Sequence, residues 1–301
     1  MASHPSTDRV RGVFTALVTP YSEDARKLDL AAFEAHCARQ VDGGVAGLVA
    51  CGTTGETPTL LASEMQELIA TAKRVAGGRV PVVAGTCNND TWDTIELCKG
   101  AVKAGADMLM IVSPYYNKPS QQGLIRHIEL IAEAVDVPIM LYNIPGRTAV
   151  TMSVETTLRI LEKVPNVVAV KDATGGLSYC QELIARIGDR ASVMCGDDGL
   201  VVPMMSVGVR GVVSVTSNLL PREVVRVVDA AEKGDFATAR REHLRLLDVH
   251  GAMFVEPNPQ PVKTACAARG WMNDSLRPPM VPASPETRAH VLAAVAALES
   301  R

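Results

Sequence analysis

Aromatic side chains are scarce. Phe, Trp and Tyr make up 4% of the 301 residues, too few for the stacking platforms on which nucleic-acid bases sit. Positive charge is not in excess either: 30 Lys and Arg stand against 33 Asp and Glu, a net charge of -3. Neither nucleic acid nor an anionic membrane surface is an expected partner. CxxC pairs are absent. The seven cysteines, at 37, 51, 87, 98, 180, 195 and 266, are odd in number and widely spaced, the pattern of reduced thiols in the cytoplasm. The N-terminal "MASHPSTDRVRG" has no apolar core of a secretory signal, and no uncharged apolar run is long enough to span a bilayer. A soluble cytoplasmic protein is expected.

Apolar residues, by contrast, reach 47%, ample for a large core. They fall into eight short runs: "VFTALVTP" (13–20), "AGLVACG" (46–52), "PVVAGT" (81–86), "MLMIVSP" (108–114), "PIMLYNIP" (138–145), "VVAVKDAT" (167–174), "ASVMCGDD" (191–198) and "GVVSVTSN" (211–218). Each is continuously apolar rather than alternating, as strands covered on both faces are. Helical periodicity separates them, for example in 29–44, 63–78 (opened by Ser63) and 91–106. Eight β/α units predict an α/β fold, a (β/α)8 TIM barrel over residues 10–220. Beyond it the strand signal stops. Segments 221–254 and 284–299 read as helices, so 221–301 is expected to be a C-terminal helical extension packed on the barrel. A doubly wound sheet is the weaker reading, because no GxGxxG opens a helix after the first strand.

Catalytic groups of a TIM barrel sit where the strands end. Those ends carry Thr19, the "GTTGE" of 52–56, Thr86, Tyr115 and Tyr116, Tyr142 and Arg147, Lys171, Asp197 and Asp198, and Ser214 to Asn218. Hydroxyls abound, with two cations and no histidine. The histidines at 4, 36, 127, 243, 250 and 290 fall on helices or in the tail, so a His-based metal site is not expected. No cofactor is expected.

Lys171 is the anomaly, a lysine among valines and alanine. Lysines are almost never fully buried without a partner or a purpose. Desolvation disfavours an ammonium, and a neutral amine attacks carbonyls. Lys171 is therefore either a Schiff-base nucleophile or a strand-end lysine paired with Asp172 or reaching solvent. "CGTTGETP" (51–58) lacks the Gly-Lys-Ser/Thr of a P-loop. Its amides and hydroxyls suit a small carboxylate, or form an ordinary tight turn. Tyr142 reads as a proton relay or an aromatic ending a strand. Arg147 reads as a carboxylate clamp or a surface ion pair. "GDD" (196–198) reads as acidic caps for the helix beginning near Leu200.

Taken in order, "GTTGE", "SPYYNKP", "YNIPGRT", "VVAVKDAT", "GVVSV" and "EPNPQPVK" resemble the dihydrodipicolinate synthase / N-acetylneuraminate lyase family, from about Gly12 to Met280. Arg147 and "PNPQPVK" resemble its synthase branch; Gln260 stands where an aliphatic residue is usual. The resemblance implies a condensation of pyruvate with L-aspartate 4-semialdehyde. Lys171 would form an imine with pyruvate. Tyr142 would be the general acid/base, relayed by Thr53 and by Tyr116 from a second subunit. Thr54 and the backbone at Val213 would hold the pyruvate carboxylate, and Arg147 that of the semialdehyde. A homo-oligomer is implied, at least a dimer and expected as a tetramer. It also implies a possible effector site for L-lysine at Thr57, Pro58, Ala62, Met65, Asn89, Asp93 and Tyr115. Histidines stand at the positions of Ala62 and Met65 in a lysine-sensitive bacterial form. Other readings are another pyruvate-dependent aldolase, a sugar-acid dehydratase, or a keto-acid sensor without catalysis.

Overall fold

A computed structural model describes residues 10–86 and 88–300; Cys87 and His4 lie outside them. Eight parallel strands close into a barrel in chain order. They are β1 (Gly12–Ala16), β2 (Gly47–Ala50), β3 (Val82–Gly85), β4 (Met108–Val112), β5 (Ile139–Asn143), β6 (Val167–Asp172), β7 (Ser192–Cys195) and β8 (Gly211–Ser214). The helices that wrap or follow them are α1 (Leu30–Asp42), α2 (Ala62–Ala76), α3 (Thr91–Lys103), α4 (Gln121–Ala134), α5 (Pro145–Thr148), α6 (Val154–Lys163), α7 (Leu177–Ile187), α8 (Val201–Met205), α9 (Pro221–Glu232), α10 (Phe236–Ala252), α11 (Gln260–Ala268) and α12 (Pro285–Glu299). None is long and apolar enough to cross a membrane.

The expected alternation and barrel are both present. The strands are shorter than the apolar runs, because each run continues into the turn above its strand. The continuous apolarity has the anticipated cause: successive side chains alternate between two apolar environments. Phe14, Val49, Val83, Met110, Met140, Met194 and Val213 fill the barrel interior, while Leu48, Val82, Leu109, Leu141, Val170 and Val193 pack under the helices. Gly47 makes room for this filling, since a Cβ there would stand 2.2 Å from the Phe14 ring. Each buried Val, Leu or Ile contributes about 1.5–3 kcal/mol.

Side-chain caps open several helices, as the sequence pattern suggests: Asp29, Asp90, Ser120, Ser153, Asp235 and Ser284 each accept a first-turn amide. Ser63 does not open α2. The helix starts at Ala62, and Glu64 accepts the Leu61 amide at 2.9 Å. The single helix expected over 221–254 is two, α9 and α10, separated at Gly234, whose φ is +78°. α9 packs on β1 and β8, where the eighth outer helix of a barrel belongs. We therefore propose that the barrel extends through Glu232 rather than ending at 220, with α10 to α12 as the extension.

The seam between β8 and β1 is locked by Asn218. Its Nδ2 donates to the carbonyls of Ala16 (2.8 Å) and Val215 (2.9 Å). Its Oδ1 accepts the Val18 amide (3.0 Å) and faces His36 Nε2 at 2.9 Å. Because Oδ1 can only accept, His36 Nε2 carries the proton. Cys37, Cys51, Cys180, Cys195 and Cys266 are buried thiols.

Candidate active site

Lys171 leaves β6 on the side of Ala169, two residues earlier, and so enters the barrel. Its neighbours across the sheet are Tyr142 on β5 and Met194 on β7. The residue is 5% exposed, and Nζ lies 3.9 Å from the centre of the Tyr142 ring. Among the described residues no carboxylate lies within ion-pair distance of it. Asp172 is not its partner: it leaves the strand on the opposite face, where Oδ1 accepts the Thr174 amide at 2.9 Å. Burial raises the Asp172 pKa. Of the alternatives open for Lys171, pairing with Asp172 and reaching solvent both fail. Gly196, beyond β7, keeps the space around the lysine open, since a Cβ there would lie 3.2 Å from Lys171 Cε and 2.7 Å from Ala173 Cβ.

Past β2 the backbone turns sharply. Cys51 (φ +55°) and Glu56 (φ +60°) are in the left-handed region, and a 3₁₀ turn, Thr53–Gly55, lies between them. Non-glycine residues hold that conformation only when their surroundings fix it. Here the fixing group is a buried ion pair. Glu56 Oε1 accepts Lys263 Nζ at 2.8 Å, with the two side chains 3% and 0% exposed. Lys263 also donates to the carbonyls of Thr19 (2.9 Å) and Ser275 (2.5 Å). Glu56 Oε2 takes the Arg277 amide at 3.1 Å. Burial lowers the Lys263 pKa and Glu56 opposes the shift. The turn is thus tied to the C-terminal extension. It presents Thr53 half-buried and Thr54 buried, and Thr54 Oγ1 accepts Asn258 Nδ2 at 2.9 Å.

Arg147 lies in α5, directly after β5, with an exposed side chain whose Nη2 donates to the Asn258 carbonyl at 3.3 Å. It forms no surface ion pair among the described residues. Val213, on β8, is buried in the barrel interior. Asp197 caps the short 3₁₀ turn after β7, accepting the Gly199 amide at 2.9 Å, and not α8, which starts without a side-chain cap. Asp198 does not cap it; its carboxylate binds the end of β8 and the turn after it, through Ser214 Oγ (2.5 Å) and the amides of Val215 (2.8 Å) and Thr216 (3.1 Å). His250, although on α10, reaches Thr216 Oγ1 at 2.9 Å, just past β8. It was expected to lie away from the strand ends.

The structure brings Lys171 and Tyr142 together, and joins Thr54 to Arg147 through Asn258. Tyr116 stands apart: it is 88% exposed, with φ +72°. The effector positions are uneven. Thr57 Oγ1 donates to the carbonyls of Cys51 and Gly52. Met65 is buried in the outer core, Pro58 and Ala62 are exposed, and Tyr115 is half-buried. Asn89 accepts Asn117 Nδ2 on its carbonyl at 2.7 Å, and Asp93 accepts Asn88 Nδ2 at 3.3 Å.

Gly196, Asn258 and the Glu56–Lys263 pair were not singled out from the sequence as site residues. Lys263 carried the same signal as Lys171, a lone lysine in an apolar segment, "QPVKTACAA". Asn258 had only its place in "EPNPQPVK".

Residues 9–298 match the model of the dihydrodipicolinate synthetase family. The 4-hydroxy-tetrahydrodipicolinate synthase of Sorangium cellulosum is 52% identical over 290 residues, covering 96% of each chain. The crystal structure of dihydrodipicolinate synthase from Aquifex aeolicus is 40% identical, with a TM-score of 0.92 over 95% of this chain and 97% of that one. The chloride-inhibited enzyme of Acinetobacter baumannii, complexed with pyruvate, is 37% identical, with a TM-score of 0.94 over 96% and 99%. This chain belongs to the dihydrodipicolinate synthetase family.

Proposed function

We infer that the chain is a 4-hydroxy-tetrahydrodipicolinate synthase, a lyase that condenses pyruvate with L-aspartate 4-semialdehyde. The observation that carries this is Lys171, buried against the Tyr142 ring at the mouth of the barrel with no counter-ion among the described residues. A desolvated lysine without a counter-ion is suited to attack on a carbonyl.

Lys171 Nζ adds to the keto carbon of pyruvate and water leaves, giving an imine. Loss of a proton from the pyruvate methyl group gives an enamine, and its terminal carbon forms the new bond to the aldehyde carbon of the semialdehyde. The amine of that substrate then displaces Lys171 in closing the ring. Each step moves a proton. Tyr142, beside Nζ, gives and regains it, with the half-buried Thr53 as the next hydroxyl. Tyr116 has little contact within its own subunit, which fits service to a second copy, and we assign the working unit as at least a dimer. Thr54 and the backbone at Val213 hold the pyruvate carboxylate. Arg147, without an acidic partner among the described residues, receives the carboxylate of the semialdehyde as a charge-assisted pair.

The assay is pyruvate consumption with L-aspartate 4-semialdehyde and with a panel of sugar-acid aldehydes. The semialdehyde is expected to give the highest kcat/KM, by roughly 10- to 150-fold, the worth of one charge-assisted contact. A neutral sugar chain turned over as well would overturn the substrate assignment.

A further inference from the structure

Asn258 comes from the segment between α10 and α11 yet meets both substrate-binding groups of the barrel. Its Nδ2 donates to Thr54 Oγ1 at 2.9 Å, and its carbonyl accepts Arg147 Nη2 at 3.3 Å. The residue is 6% exposed. It is also held from both sides. Gln260 donates its amide to the Pro257 carbonyl and its Nε2 to Glu256. Lys263, one turn on, is anchored in the buried pair with Glu56.

A threonine hydroxyl has one proton to donate and two lone pairs. Among the described residues Thr54 Oγ1 makes no hydrogen bond other than the one from Asn258. With a lone pair occupied by Nδ2, the Thr54 proton is left for a ligand. A carboxylate needs such a donor; a hydroxyl that spent its proton on the protein would repel one. The bond to Thr54 comes from the NH2 end of the amide, while Asn258 Oδ1 is buried with no partner among the described residues.

We propose that Asn258 is a positioning residue for pyruvate: its amide turns the Thr54 hydroxyl proton toward the substrate carboxylate. This rests on the assignment of Thr54 as a pyruvate ligand. The side chain acts through Thr54 alone, because the contact to Arg147 uses the backbone carbonyl. Asn258→Ala therefore separates the two substrates.

The measurement is borohydride trapping of the pyruvate imine as a function of pyruvate concentration, with steady-state kinetics and thermal melting beside it. Asn258→Ala is expected to raise the half-saturating pyruvate concentration about tenfold and to leave trapping at saturation, and the KM of the aldehyde, within about twofold. Thr54→Val is expected to do the same, and the double variant to be no worse than Thr54→Val alone. Asn258→Asp, equal in shape, puts an acceptor in place of Nδ2, captures the Thr54 proton and should fail as Ala does. Should Ala fail to fold, the Asp variant and its double with Thr54→Val carry the test. An unchanged pyruvate dependence, multiplying effects in the double variant, or a functional Asp variant overturns the inference. A parent protein that traps no pyruvate overturns the proposed function, and this inference with it.

Discussion

Removing the charge of Lys263 should uncouple the turn after β2 from the C-terminal extension. Lys263→Met leaves Glu56 buried with the Arg277 amide as its remaining partner, and strips the carbonyls of Thr19 and Ser275 of a donor. Breaking a buried pair from one side costs about 3–5 kcal/mol, since the remaining charge stays desolvated. Unfolding entropy near 2.1 cal/mol/K per residue, over 301 residues, converts this to a fall in melting temperature of about 5–8 °C. Replacing both partners removes the stranded charge, so Glu56→Leu with Lys263→Met should regain most of the loss. The Arg277–Glu64 pair, with both Nη atoms at 2.6 Å, still fastens the extension in either variant. Activity should not return with stability. Glu56 is held at φ +60°, two residues from Thr54, and without the pair that strained residue loses its tie to Lys263 and the extension. Thermal melts and pyruvate kinetics on the two single variants and the double decide the matter. If the double variant melts as low as the sum of the singles, the pair is not acting as a charged unit. If it recovers full kcat/KM, the turn does not depend on it.

Arg147→Ala should lower kcat/KM for the semialdehyde roughly 10- to 150-fold, the worth of a charge-assisted contact, while pyruvate trapping persists; equal loss of both would make Arg147 structural. Acid should destabilise the fold. Burial depresses the pKa of both His36 and His127 to about 4, against about 6.5 in the unfolded chain. Their stabilisation is complete above pH 6.5 and is lost as pH falls through 4, by up to about 3 kcal/mol each. Urea midpoints at pH 7.5 and 5 should show the drop, and His36→Gln should reduce it by about half, His127 supplying the rest; a flat profile in the parent refutes the assignment. L-Lysine should inhibit weakly. Met65 is buried in the core, Ala62 offers only a methyl group, and Asp93 already accepts Asn88 Nδ2. Half-inhibition below about 0.5 mM at saturating pyruvate, an affinity above roughly 4.5 kcal/mol, would contradict this.

The barrel was legible because parallel strands are buried on both faces, and their apolar runs stand out between periodic helices. Strand ends were not. β2 stops at Ala50, since Cys51 takes a left-handed conformation, and composition alone does not mark that turn. The break between α9 and α10 rests on Gly234 and was hidden by helical periodicity on both sides. Lys171 was legible because a charge in an apolar strand has few explanations. Asn258 was not, because its bond to Thr54 spans 204 residues of sequence and nothing local to it is unusual. Asp198 was misread as a cap for a similar reason: its partners lie at the end of the next strand and in the turn after it.

Lys171 should form a covalent imine with pyruvate. Borohydride reduction in the presence of pyruvate, followed by peptide mass analysis, tests it most directly. One reduced pyruvate adduct is expected, on the peptide containing Lys171, and none in Lys171→Ala, which should also lose condensation almost completely. An adduct on another lysine, or Lys171→Ala turnover within about tenfold of the parent, would contradict it.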